Sequence, residues 1–153
     1  MNEAGEYINK VKNEVKRVDH LFFVSLKYTR TVDVIRSVVD RMINALKFGI
    51  DALLIKAKKD KKIKEIPPSP RLRAELAKEL YSSDEKLADF IEFYLLLRKL
   101  VMAKYTRREE YRRHVTMISE LEPGKNMEVS IDLLSEYYNK IKEFVEYLET
   151  LLK

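Results

Sequence analysis

Residues 32–59 read VDVIRSVVDRMINALKFGIDALLIKAKK and contain no proline. Apolar side chains recur there at the three- and four-residue spacing that places them on one face of an α-helix. This apolar face comprises Val34, Ile35, Val38, Val39, Met42, Ala45, Leu46, Ile50, Leu53, Leu54 and Ala57. Thr31 is a favourable N-cap, and Asp33 suits the positive end of the helix dipole. The pattern predicts a helix from Val32 to Lys59, roughly 42 Å long.

The same spacing recurs on both sides of this segment. It predicts four further helices, over residues 4–28, 70–81 and 84–104 and from Ile131 onward. Ser69 and Pro70 mark the start of the short helix, because serine caps a helix and proline suits its first position. Residues 82–84 and Ser130 offer caps for the next two helices. We therefore predict an all-α fold, an antiparallel bundle of four long helices plus one short helix, in one domain over residues 1–153.

Residues 105–128 are the least regular part of the sequence. Residues 106–114 are compatible with a helix, residues 115–118 form a short β-prone run, and residues 122–126 form a turn. We expect irregular structure between the helix that ends near residue 104 and the last helix.

The composition excludes several classes of protein. Apolar residues make up 46% and charged residues 36% of the chain, too apolar for disorder and too charged for a membrane protein. Cysteine is absent, which excludes disulfides and thiolate metal sites. The acidic, polar first six residues do not match a secretory signal. We expect a cytoplasmic protein, and its wealth of charged residues and lack of glutamine are typical of hyperthermophiles.

The net charge of +5 is unevenly distributed along the chain. Residues 56–64 carry six lysines against one acid, and residues 98–114 carry seven Lys or Arg against two acids. Residues 120–153 carry eight acids against four lysines. A basic middle of this kind favours anionic partners, and solvated helix ends are the alternative interpretation.

The basic stretch YTRREEYRRH at residues 105–114 carries the best candidates for chemistry. Histidine transfers protons near neutral pH, and the guanidinium fork of arginine matches phosphate geometry. Together they are able to cleave RNA without a metal or cofactor, because arginine stabilises the charge that builds on phosphorus. The predicted catalytic residues are Arg107, Arg108 and His114. The predicted nucleic-acid-binding residues are Arg98, Lys104, Tyr105, Tyr111, Arg112 and Arg113.

If this stretch is one helix, the spacing indicates which of the two arginines shares a face with His114. Arg107 and His114 are seven residues apart and would share a face. Arg108 and His114 would point about 120° from each other, and a break in the helix would undo this ranking. The two histidines, His20 and His114, have no helical partner of the kind that metal sites favour, so we predict no metal site.

Three features resemble the HEPN superfamily (higher eukaryotes and prokaryotes nucleotide-binding domains). They are ALKFGIDALL at residues 45–54, IPPSPRL at residues 66–72, and Arg107 or Arg108 with His114, which is similar to the family's Arg-x(4 to 6)-His motif. The resemblance implies a homodimer that acts as a ribonuclease in toxin–antitoxin or defence systems, or a non-catalytic partner of a small nucleotidyltransferase. We expect RNA or such an enzyme as partner, and no membrane.

Two other interpretations remain open. The chain would be a structural or adaptor bundle if its basic segments only aid solubility. A DNA-binding bundle is less favoured, because no short helix-turn-helix with a tight glycine turn is apparent.

Overall fold

The longest helix, α2 (Val32–Lys59), occupies the centre of the fold, and all the other helices contact it. The computed structural model describes residues 3–153, so residues 1 and 2 of the predicted domain lie outside the described part. The other helices are α1 (Glu3–His20), α3 (Pro70–Leu80), α4 (Glu85–Met102) and α5 (Ile131–Leu151). α1 continues through a π-helical turn (Leu21–Ser25) into a last α-helical turn (Leu26–Tyr28).

Local capping explains where most of these helices begin. The Thr31 hydroxyl accepts a hydrogen bond from the Val34 N–H over 3.3 Å, and α2 has the predicted bounds. Ser69, Asp84 and Ser130 cap α3, α4 and α5 in the same way. Each cap satisfies one of the N–H groups that the first turn of a helix leaves unpaired. The capping predictions are therefore confirmed.

A three-stranded antiparallel sheet lies between α4 and α5. Its strands are β1 (Lys104–Arg108), β2 (Thr116–Glu122) and β3 (Lys125–Ser130), in the order β1-β2-β3. Helices make up 69% and strands 12% of the described residues. The prediction of an all-α bundle of four long helices plus one short helix is therefore wrong, and residues 106–114 do not form a helix.

Pairing and burial together explain the sheet. Val115, Met117 and Val129 are fully buried, and the Ser119 hydroxyl donates to the Leu100 carbonyl of α4 over 3.2 Å. β1 supplies the hydrogen-bonding partner that β2 would otherwise lack along one edge. The β2–β3 turn uses Gly124 at a φ of 80°, which glycine adopts without strain.

One arginine of α2 joins the sheet to the helices. The Arg36 guanidinium donates to the Val101 carbonyl at the end of α4 over 2.8 Å. It also lies 4.1 Å from the centre of the Tyr105 ring and contacts the Met117 sulfur over 3.7 Å. This half-buried cation therefore contacts α4, β1 and β2 at once, and it positions β1 against α2.

Candidate nucleic-acid interface

The loop between β1 and β2 is held against the start of α2. The Glu110 carboxylate accepts a hydrogen bond from the Val32 N–H over 2.9 Å, so it caps α2 together with Thr31. The Tyr111 N–H donates to the Arg30 carbonyl over 2.6 Å. Glu109 and Tyr111 adopt φ values of 53° and 65°, in the left-handed region that non-glycine residues rarely occupy. The loop therefore keeps an unusual backbone path because contacts outside it hold it in place.

Arg107 is engaged in contacts within the protein. Its guanidinium donates to Asp33 over 2.9 Å and to Glu110 over 3.3 Å, and it lies 5.6 Å from the centre of the Tyr105 ring. The hydrogen bond to Asp33 raises the pKa of Arg107 above its ordinary value. This arginine joins β1 to the first turn of α2.

Arg108 points to the opposite face of the sheet, because neighbouring residues of a strand alternate between faces. In the register of the sheet, Arg107 lies opposite Met117, and Arg108 lies opposite Thr116. The Arg108 guanidinium forms an ion pair with Glu128 of β3. The two adjacent arginines are thus separated by the thickness of the sheet.

A cleft of about 510 Å³ lies between the β1–β2 loop and the start of α5. Its lining includes four basic side chains, Arg30, Arg108, Arg113 and His114, and we call this site the arginine cleft. Two carboxylates, Glu109 and Asp132, also line it. His114 is exposed, and its carbonyl accepts a hydrogen bond from the Thr116 hydroxyl over 2.9 Å. Among the predicted catalytic residues, the structure brings Arg108 and His114 into one cleft and leaves Arg107 outside it.

The ranking that favoured Arg107 over Arg108 does not hold. It assumed a helix, in which residues seven apart share a face. The segment is instead a strand followed by a loop, so the two-residue period of the strand decides which arginine reaches the cleft.

The predicted nucleic-acid-binding residues are dispersed. Arg113 lines the cleft, while Arg112 and Tyr111 lie on the same loop with exposed side chains. Tyr105 packs beneath Arg36, so its ring is not a free stacking surface. Lys104 lies opposite Glu120 at the far end of β1, and Arg98 lies on α4 beside the Tyr94 ring. The structure places neither of the last two residues in the arginine cleft.

Arg30 is a site residue that the sequence-based reasoning missed. It belongs to the short connection between α1 and α2, far along the chain from the basic stretch. Its Nε atom is buried and has no hydrogen-bond partner within residues 3–153. The only sequence signal was the interruption of the helical pattern at residues 28–31, which marks a turn but assigns it no binding role.

No protein-family model, no curated protein and no solved structure matches this chain. In the part of the chain that the structure describes, no helix is both long and apolar enough to cross a bilayer. Within the same residues, no group of three or more His, Asp or Glu side chains is arranged to hold a metal ion. The fold and the site define a mostly helical protein with a small antiparallel sheet and an arginine-lined cleft.

Proposed function

We propose that the arginine cleft binds the phosphates of RNA. The observation that carries this proposal is the convergence of Arg30, Arg108 and Arg113, from three different segments, on one concave site. Guanidinium groups bind phosphate oxygens through paired, charge-assisted hydrogen bonds. Arg30 supports the proposal, because it lines the cleft, forms no ion pair within residues 3–153, and has a buried Nε that no other group satisfies.

Tyr111 supports RNA in preference to a small inorganic anion. Its side chain is 77% exposed, and it lies two residues before Arg113. Large aromatic side chains exposed beside a basic site provide a face on which unpaired bases stack. The Tyr111 backbone is also held by its hydrogen bond to Arg30, so the ring is attached to an ordered part of the loop.

The test of RNA binding is a double substitution, Arg108→Ala with Arg113→Ala. We expect the affinity for a single-stranded RNA to fall about tenfold or more, since two guanidinium groups that donate charge-assisted hydrogen bonds are removed. The slope of log K against log salt should also become shallower by about 0.7 for each phosphate that the variant no longer neutralises. Fluorescence anisotropy over a range of salt concentrations measures both.

Arg17→Ala with Lys78→Ala is the matched control, because it removes the same charge from exposed side chains outside the cleft and outside the proposed dimer surface. It should change the affinity little. Equal reductions in affinity for the two double variants would show that net charge alone drives binding. A wild-type protein that binds no RNA would overturn the proposal.

Metal-independent cleavage of RNA is the second candidate function, favoured by the position of Arg108 and His114 in the same cleft. His114 would move a proton to or from the reacting oxygen, and Arg108 would stabilise the charge on phosphorus. His114→Ala should then abolish cleavage in the presence of EDTA while the affinity for RNA stays nearly unchanged. A wild-type protein that binds RNA and leaves it intact is a binding module.

Association of two copies is supported by a separate surface on α4. Arg98 and Met102 line two neighbouring grooves there, and Met102 is 78% exposed. The two grooves have volumes of about 590 and 610 Å³. Asp40 of α2 lines the first groove, and neither Asp40 nor Arg98 forms an ion pair within residues 3–153. We therefore propose a two-fold homodimer that pairs Asp40 of each protomer with Arg98 of the other and buries Met102.

The dimer proposal predicts a charge-swap rescue. Asp40→Arg and Arg98→Asp should each weaken association, because each places like charges opposite each other. The double variant should restore it, whereas Met102→Asp should give a monomer. Light scattering at micromolar concentration measures the mass, and a monomeric wild-type protein would contradict the proposal.

A small nucleotidyltransferase as partner stays a prediction of the family resemblance.

A further inference from the structure

The arginine cleft is a short concave site and not an extended basic strip. Its lining combines residues from the α1–α2 connection, the end of β1, the β1–β2 loop and the start of α5. Its volume of about 510 Å³ lies in the range of pockets that hold one small ligand. The basic side chains therefore converge on one small volume, whereas a groove for a long strand would carry them in a row.

Two carboxylates restrict which phosphate fits this site. Glu109 and Asp132 line the cleft beside the arginines, and neither forms an ion pair within the described residues 3–153. A strand that passes through the cleft would bring phosphates on both sides of the bound one close to these negative charges. A strand that ends in the cleft has a neighbouring phosphate on one side only, so one neighbouring phosphate in place of two lies near these carboxylates.

A terminal phosphate also matches the donors better than an internal one. A phosphomonoester carries about −1.5 to −2 charges at neutral pH and has three terminal oxygens, whereas an internal diester carries one charge. Three guanidinium groups line the cleft; Arg108 also pairs with Glu128, whereas Arg30 and Arg113 form no ion pair within the described residues 3–153. The start of α5 borders the same cleft, and the positive end of its helix dipole adds a smaller favourable interaction with the phosphate.

We infer that the arginine cleft holds the terminal phosphate of an RNA strand. This inference rests on the proposed binding of RNA and adds that the site recognises a phosphorylated end. Arg30, Arg108 and Arg113 bind the terminal phosphate, and Glu109 and Asp132 disfavour a strand that continues past it. The 5′ and the 3′ phosphate share this chemistry, so the experiment has an arm for each.

The experiment compares three forms of one eight-nucleotide RNA: with a 5′ phosphate, with a 3′ phosphate, and with hydroxyls at both ends. We expect one phosphorylated form to bind the wild-type protein at least about tenfold more tightly than the hydroxyl form, which corresponds to one charge-assisted hydrogen bond. The preferred form identifies the end that is recognised. Equal affinity for all three forms would overturn the inference and leave the proposed RNA binding intact.

Two variants test the assignment of roles within the cleft. Arg30→Gln should reduce the affinity for the preferred phosphorylated form more than the affinity for the hydroxyl form. Glu109→Gln with Asp132→Asn should raise the affinity for both forms, and by the larger factor for the hydroxyl form, whose strand has phosphates on both sides of the bound one; the preference for an end should therefore fall. Unchanged preferences in both variants would overturn the inference, and failure of every RNA form to bind would overturn the proposed function itself. Circular dichroism melts confirm that each variant is folded.

Discussion

Replacing Arg73 with alanine should lower the free energy of unfolding by about 3 kcal/mol at neutral pH. Arg73 of α3 donates to the Asp51 carboxylate over 3.3 Å and to the Pro67 carbonyl over 2.6 Å. Asp51 lies on α2 and is only 6% exposed. Without Arg73, the Asp51 carboxylate would be buried with no paired cation. Leaving one charge of a buried ion pair uncompensated is strongly destabilising. Urea denaturation measures the decrease in stability.

The size of this decrease should depend on pH. Burial raises the pKa of Asp51 above its ordinary value of 3.8, and Arg73 opposes that shift. Because the folded-state pKa is the higher one, the contribution of Asp51 to stability is full below 3.8 and is lost as the pH rises through the folded-state pKa. The protonated carboxyl needs no cation, so Arg73→Ala should cost less near pH 3 than at neutral pH.

The matched control for this prediction is Asp51→Asn, alone and with Arg73→Ala. In the asparagine background, the cost of removing Arg73 should be smaller and nearly independent of pH, because no carboxylate is left unpaired. A cost that is the same at both pH values in the Asp51 background would instead assign the effect to the Pro67 hydrogen bond.

Replacing Gly49 with alanine should lower the free energy of unfolding by about 2 kcal/mol, although alanine favours helices. Gly49 lies in the middle of α2, and a Cβ atom there would overlap the ring of Phe144 of α5. It would also lie 3.2 Å from the Leu148 side chain. Phe144 is 1% exposed and packs edge-to-face on Phe90, with ring centroids 5.3 Å apart, so the ring has little room to move.

A second substitution tests this cause. Phe144→Leu leaves a cavity in the wild-type background but makes room for the new methyl group in the Gly49→Ala background. The double variant should therefore be more stable than the sum of the two single effects predicts. Strict additivity of the two effects would show that the Gly49–Phe144 contact does not limit the approach of α2 and α5.

The helices and most of their caps followed from the sequence because their signals are local. The cap of α2 depends on Thr31 and Val34, and that of α5 on Ser130 and Leu133, which are three residues apart in each case. The apolar spacing in α2 likewise needs no information from the rest of the chain. For these reasons the bounds of α2 agree with the prediction.

The sheet depended on pairing between segments that sequence patterns do not connect. Residues 115–118 have a β-prone pattern, but β1 contains four polar or charged residues and only one aromatic. It becomes a strand because it pairs with β2 and because Arg36 and Asp33 of α2 contact its side chains. The contact between Asp33 and Arg107 spans 74 residues, and a contact of this kind has no signature in local spacing.

The candidate site, like the fold, was predictable from the sequence only in part. The residue types that suit phosphate, at Arg108, Arg113 and His114, were identifiable from the sequence because charge and chemistry belong to single residues. The alternation of side chains between the two faces of β1 decided which of them face one cleft, because it separates Arg107 from Arg108. The β1–β2 loop, through its hydrogen bond to Arg30, holds that residue beside them. The sequence by itself determined the helices and the basic chemistry, and only the tertiary structure decided the sheet and the composition of the cleft, because both depend on contacts between distant segments.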